Sequence, residues 1–206
     1  MQHEKINFLA HVFESKELRN LDSISDHELM SAVKNGDVDK LGLLFERYKS
    51  KLYNFYVKQI PLSQTCEDLV QDVFFRMLKY RHTYRGDSKF TTWMFRIARN
   101  VLMDHYRKHK HESDAEVIES KLIAADPNPE DLAQQDNEVR LLRKAIQRLP
   151  AKNRQILILS RYHNLTYAEI SDIMSIKIGT IKAIVFRTLR ELAIIYKELE
   201  GVHHEM

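Results

Sequence analysis

Thr166-Tyr-Ala-Glu169-Ile-Ser-Asp-Ile-Met174, followed by Ser175-Ile-Lys-Ile178 and then Gly179-Thr-Ile-Lys182-Ala-Ile-Val-Phe186-Arg-Thr-Leu-Arg190, reads as a short helix, a tight turn and a longer helix. Thr166 and Glu169 have capping-box spacing, in which hydroxyl and carboxylate each satisfy a backbone donor, so the short helix runs from there through Met174. Gly179 and Thr180 open the second helix, which the pattern carries to about Leu199. Along it Ile181, Val185, Thr188 and Leu192 fall on one face, while Lys182, Phe186 and Arg187 fall elsewhere. This is helix-turn-helix spacing: one face for a core, the other for phosphates and base edges in a major groove. An ordinary amphipathic helical hairpin with a solvated basic face would share the pattern, so the stretch decides the fold class before it decides a function.

Upstream, Leu141, Leu142, Ala145, Ile146 and Leu149 form a helical stripe that Pro150 ends. Ile156, Leu157 and Leu159 belong to the next helix, and Asn164, tolerant of left-handed backbone, terminates it. Before this lobe lies Glu112 to Glu138, with 9 acidic residues against 1 basic and an Asp126-Pro-Asn-Pro-Glu130 run, the composition of a flexible linker. Further upstream, Ser25 and Glu28 make a second capping box for a helix ending near Gly36. Leu41, Leu44, Phe45, Tyr48, Leu52, Phe55 and Tyr56 then recur at helical spacing as far as Pro61. A third helix after Ser63 buries Leu69, Val70, Val73, Phe74 and Met77, and a fourth runs from near Thr91 to about Lys108. Tyr84 to Lys89, with Gly86, is the loop between them. The expected architecture is all-α: two helical lobes joined by a flexible acidic linker, the second a helix-turn-helix domain. Its divisions are an N-terminal extension without clear signal (1–24), the first lobe (25–111), the linker (112–138), the second lobe (139–200) and a tail (201–206).

Composition agrees. Only 5 glycines and 4 prolines stand among 206 residues, too few for a turn-rich β fold. The glycines are too far apart to write a dinucleotide fingerprint or a phosphate-cradling loop, which excludes nucleotide-binding enzymes of those kinds and leaves no cofactor expected. A single cysteine, Cys66, excludes a disulfide framework and paired-thiolate zinc sites and suits a reducing cytoplasm. The longest unbroken apolar run is Leu192 to Tyr196, so neither membrane insertion nor a signal peptide is expected. Net charge is only +3, yet Arg76 to His111 carries 10 basic against 2 acidic residues and Val139 to Glu200 carries 12 against 5. Two basic lobes of this kind suit a polyanionic partner.

Within the fourth helix Trp93, Arg96, Asn100 and Arg107 share one side, and Tyr84, Arg85, Lys89 and Phe90 lie just before it. Cations that follow phosphates beside aromatics that receive unstacked bases are what single-stranded nucleic acid requires. Phe90 and Trp93 are equally what a core would use. On the third helix Asp68, Gln71, Asp72 and Phe75 make an acidic face carrying a large aromatic, which DNA would repel and a protein partner would use. His105 and His109 stand four apart on a helix but lack a third metal ligand near in sequence, and no grouping of nucleophile, base and orienting residue suggests itself. Neither a metal nor catalysis is expected.

Cys66-Glu-Asp-Leu-Val-Gln-Asp-Val-Phe74, and Tyr84-Arg-Gly-Asp-Ser-Lys-Phe-Thr-Thr-Trp-Met-Phe-Arg-Ile-Ala-Arg-Asn100 with Asp104 and Arg107, resemble region two of the extracytoplasmic function (ECF) sigma factors. Leu149-Pro150, the Thr166 to Met174 helix and Gly179-Thr-Ile-Lys182 with Phe186-Arg187 resemble region four, and the likeness runs in order from Asp26 to Leu199. It implies that Asp68, Gln71, Asp72 and Phe75 meet core RNA polymerase. It implies that the Tyr84, Arg85, Lys89 and Phe90 loop, with Trp93, Arg96, Asn100 and Arg107, holds the melted minus-ten element of promoter DNA. Thr180, Lys182, Ala183, Phe186 and Arg187 would face the minus-thirty-five element, and an anti-sigma factor is a further candidate partner. Ala183 stands where the family often has serine and Ile184 and Leu189 where arginines are frequent, so the recognition helix is expected to carry fewer polar groups than usual, and Ser175 stands where glycine is frequent in the turn. The competing readings are a stand-alone helix-turn-helix regulator of duplex DNA and a metal-dependent hydrolase using the histidines.

Overall fold

The structure is a computed structural model that describes residues 24–60, 63–112 and 137–204. Eight α-helices lie among these residues: α1 (Asp26–Lys34), α2 (Lys40–Val57), α3 (Ser63–Lys79), α4 (Phe90–Glu112), α5 (Asn137–Gln147), α6 (Ala151–Arg161), α7 (Tyr167–Met174) and α8 (Ile178–His204), with a 3-10 turn at Arg81–Thr83. The N-terminal extension and nearly all of the acidic linker fall outside the described residues. Glu112 closes α4 and Glu138 lies in α5, so the helices reach into both ends of the expected linker.

Both capping boxes form. The Ser25 hydroxyl accepts from the Glu28 amide and the Glu28 carboxylate accepts from Ser25 N–H; Thr166 and Glu169 repeat the arrangement at α7. Each satisfies helix-end donors that have no acceptor within the helix. Asn164 (φ 53°) and Ser175 (φ 55°) both take left-handed backbone, which ends α6 and α7 abruptly enough to fold the chain back.

In the first lobe α1 packs on α2, α2 on α3 and α3 on α4, and the predicted stripes are the buried ones. Leu44, Leu52, Phe55 and Tyr56 of α2 and Val73, Phe74 and Met77 of α3 are essentially inaccessible. At roughly 1.5 to 3 kcal/mol for each fully buried large apolar side chain, these faces supply the lobe's stability. Cys66 lies in this core with its thiol toward the Ile60 carbonyl, and burial pushes its pKa up to about 12, so it packs as a small apolar group. In the second lobe α8 packs on α5, α6 and α7, and the buried Arg154 caps α5 by donating from Nη1 to the Gln147 carbonyl at 2.7 Å.

The lobes do not stand apart. α7 packs along α4, and one apolar cluster continues from Phe55 and Phe95 of the first lobe into Leu165, Ile170 and Met174 of the second. His163 sits between the rings of Phe95, 4.7 Å away, and Phe55, 5.9 Å away. Burial, reinforced by the Lys58 and Lys51 cations, pushes its pKa down to about 4, which keeps the imidazole neutral among its aromatic neighbours. Lys58 lies over the Tyr162 ring at 4.6 Å on the same seam.

Two helices exceed the length their patterns predict: α4 starts at Phe90 and continues to Glu112, and α8 starts at Ile178 and continues through Gly201 to His204. Nothing in either extension breaks a helix. A glycine inside a helix costs only about 1 kcal/mol, and no proline follows.

Candidate nucleic-acid interface

The loop after the 3-10 turn and the first three turns of α4 enclose a pocket of about 400 Å³. Five of the eight residues expected at the minus-ten element, Tyr84, Arg85, Trp93, Arg96 and Asn100, line it together. Its floor is aromatic: Tyr84 meets Trp93 nearly edge-on at 5.2 Å, and Phe90 lies 6.3 Å from each ring and 5.2 Å from Tyr48. Tyr84, Phe90 and Trp93 are buried (2, 4 and 9 % exposed), so they support the pocket rather than stand out as free stacking platforms. Arg85, Arg96 and Asn100 are exposed at its mouth. The pocket can therefore present cations and an amide above an aromatic base, a combination suited to an extruded nucleotide.

The other expected residues lie away from the pocket lining. Phe90 is behind the lining. Arg107 is about two turns beyond Asn100 along α4, exposed, with Nη2 3.0 Å from the Asp104 carboxylate that Arg76 also holds at 2.6 Å. Lys89 turns to the other lobe, where its Nζ is 3.0 Å from Glu169 Oε1. Burial pushes the Glu169 carboxyl up, but hydrogen bonds from the Thr166 hydroxyl and amide and the Lys89 cation outweigh it and hold the group below its ordinary value. Sequence reasoning missed Tyr80, which lines the same pocket, is 43 % exposed and carries Lys79 over its ring at 5.5 Å. Its signal was an aromatic inside a basic run, Lys79-Tyr-Arg81.

On α8 Thr180, Lys182, Ala183, Phe186 and Arg187 are all exposed, Phe186 by 57 %. The opposite face, Ile181, Ile184, Val185 and Thr188, is buried. Ile184 thus belongs to the core stripe and removes no polar group from the outward face, a correction to the expectation from its family position. Leu189 is at the surface, 36 % exposed, lining an apolar groove with Leu142 and Leu192. Arg190 was not singled out in sequence; its guanidinium stacks 4.3 Å from the Phe186 ring and adds a cation one turn beyond Arg187.

On α3 Asp68 and Phe75 are exposed and Gln71 and Asp72 half-buried, so the four make one continuous outward face. Beside it a groove between α2 and α3 is lined by Phe45, Tyr53, Glu67 and Gln71. Among the described residues no group of three or more His, Cys, Asp and Glu side chains could hold a metal, and no helix is long and apolar enough to cross a membrane.

A helical lobe with a nucleotide-sized pocket, joined to a helix-turn-helix lobe whose outward face is basic, defines a DNA-binding transcription factor. The comparisons narrow the class. Residues 44–112 match the family model Sigma-70 region 2 and residues 140–192 match Sigma-70, region 4. The ECF RNA polymerase sigma factor SigW of Bacillus subtilis is 30% identical over 164 residues, covering 75% of this chain and 88% of that protein. The ECF RNA polymerase sigma-E factor of Escherichia coli is 29% identical over 175 residues, 81% of this chain and 91% of its own length. Among solved structures, the sigma factor RpoE of Bartonella quintana, in complex with the anti-sigma factor NepR, superposes with a TM-score of 0.63 at 27% identity, covering 75% of this chain and 94% of that one. The chain belongs to the ECF group of the sigma-70 family and is an RNA polymerase sigma factor. Sigma factors are non-enzymatic initiation factors, and this membership favours that function over a stand-alone regulator.

Proposed function

We propose that the first lobe, 25–111, docks on core RNA polymerase through Asp68, Gln71, Asp72 and Phe75 and holds the melted minus-ten strand at the pocket of Tyr84, Arg85, Trp93, Arg96 and Asn100. Lys89, Phe90 and Arg107 serve the same strand from outside the pocket lining: Phe90 by supporting the aromatic floor, the two cations by following the backbone. The second lobe, 139–200, reads the minus-thirty-five duplex through Thr180, Lys182, Ala183, Phe186 and Arg187. The chain contributes no catalysis of its own, acts in the cytoplasm, and takes an anti-sigma partner, as its Bartonella relative does.

The convergence of Arg85, Arg96 and Asn100 over one aromatic floor carries this reading, because a merely solvated helix face has no reason to enclose a pocket. Arg96→Ala and Asn100→Ala alter only exposed side chains, so stability should change by no more than about 0.5 kcal/mol. Open-complex formation should fall on a duplex promoter that the wild-type holoenzyme has selected from a randomised library. The same DNA mismatched over the minus-ten segment should restore most of the yield. Normal opening by both variants would reject the pocket as the strand's site.

A further inference from the structure

Helix α1 carries no residue assigned to polymerase or DNA, yet it touches the pocket loop at three points. Tyr84 is buried and its hydroxyl needs a partner, which His27 Nδ1 supplies at 3.1 Å. Burial raises the phenol above its ordinary pKa, so the hydroxyl stays protonated and hydrogen-bonds to that nitrogen as a neutral group. Lys34, two turns along α1, donates from Nζ to the Tyr84 carbonyl at 2.7 Å. Gly86 follows with φ +73°, and a Cβ built there would stand 2.2 Å from His27 Cε1 and 2.9 Å from Nδ1. The imidazole therefore occupies the space that any side chain at position 86 would need.

These contacts fall on Tyr84 and Gly86, which line the pocket and flank Arg85 at its mouth. The rest of the loop is exposed at Arg85, Asp87 and Lys89, and its other tie is the Lys89–Glu169 ion pair at its far end. α1 does not depend on the grip for its own place. Leu29, Met30 and Val33 are buried against α2, and the Asp26 carboxylate accepts from both Arg47 and Tyr48. Losing the grip should leave the lobe folded and free the loop.

We propose that His27 and Lys34 are positioning residues for promoter opening, gripping Tyr84 and closing over Gly86 so that the loop presents Arg85 and the pocket to the melted strand. This rests on the pocket being the strand's site, which Arg96→Ala tests independently.

The experiment uses the full chain with core RNA polymerase and compares His27→Ala, His27→Gln, Gly86→Ala and the double variant His27→Ala with Gly86→Ala. For each, the thermal midpoint of the free chain, affinity for core polymerase and opening rate on the selected duplex and its mismatched form are measured. His27→Ala should keep the midpoint and the affinity while slowing duplex opening about tenfold, and the mismatched template should recover most of that loss. His27→Gln, whose amide can pair with the Tyr84 hydroxyl as donor or acceptor, should lie nearer to wild type. Gly86→Ala should be the most impaired, because φ +73° strains any Cβ there and the imidazole must also give way, and the double variant should recover the part of that loss that the ring causes. A purely structural role predicts no such reciprocal recovery. A double variant as impaired as the two losses multiplied, or normal opening by His27→Ala while Arg96→Ala is defective, overturns the positioning role alone. Normal opening by Arg96→Ala as well overturns the pocket reading with it.

Discussion

Ser175 sits at the tightest point of the helix-turn-helix, with φ 55° and its amide donating to the Ser171 carbonyl, while the Ser171 hydroxyl donates to the Ile176 carbonyl at 2.6 Å. Left-handed backbone costs a residue with a Cβ roughly 1 to 2 kcal/mol, part of which glycine forfeits through its freer unfolded chain. Ser175→Gly should therefore stabilise the chain by about 0.5 to 1 kcal/mol in urea unfolding and leave DNA binding unchanged. A destabilised variant would mean that the serine side chain, not the turn, sets the geometry. The polymerase face is tested best at Asp68, which is exposed, whereas Asp72 is half-buried and its charge reaches the buried Tyr56. Asp68→Arg should cost no more than about 0.5 kcal/mol of stability. It should weaken holoenzyme formation, because reversing an interface charge replaces attraction with repulsion. Unchanged affinity for core polymerase would remove Asp68 from that surface.

At the scale of the element, α8 divides its labour by face. Ile184→Ala should cost about 2 to 4 kcal/mol, because the side chain is packed between Ile181 and Thr188 on the buried stripe. Phe186→Ala, on the outward face, should be nearly neutral in stability but weaken minus-thirty-five binding, since it removes the platform on which Arg190 is stacked. Calorimetry and a binding titration with minus-thirty-five duplex separate the two effects. Elements of this kind were legible because periodicity at three and four residues records which face is buried, and because Thr166 with Glu169 marks a helix start by its own hydrogen bonds. The pocket was legible for a related reason: its residues lie within Tyr80 to Asn100, so one loop and one helix bring them together. The burial of Ile184 could have been read from its place three residues after Ile181, but its family position pointed outward. What periodicity does not carry is a contact such as Phe95 with His163 or Lys89 with Glu169, where the partners are distant in sequence and neither helix pattern names the other.

Those distant contacts act at the scale of the whole molecule, because they hold the second lobe against the first, whereas the proposed reading of two promoter elements calls for the lobes to part. Elements about 25 base pairs apart are separated by roughly 85 Å at about 3.4 Å per pair. The 24 residues 113–136 correspond, at about 3.3 Å per fully extended residue, to a contour of roughly 80 Å, so chain length alone permits the lobes to part that far. Opening must expose His163 and remove it from Lys58, Lys51 and the Phe55 and Phe95 rings, returning its pKa from about 4 to the ordinary 6.5. The open state then binds more protons between those values. Closure is at full strength above pH 6.5, weakens as pH falls toward 4 and loses nothing further below it. The Glu169 carboxylate, held below its ordinary value, stays ionised at pH 5.5 and keeps its pairing with Lys89 there, so the first loss of closure belongs to His163. By this linkage closure should weaken by about 1 kcal/mol between pH 7 and 5.5. Fluorescence transfer between dyes on cysteines introduced at the exposed Lys79 and Glu198 should fall over that interval, the native Cys66 being buried. His163→Phe, which keeps the aromatic contacts and cannot be protonated, should hold transfer high throughout and reduce promoter binding by the holoenzyme. If the variant keeps the wild-type pH response, the seam's proton sensitivity lies elsewhere than in His163.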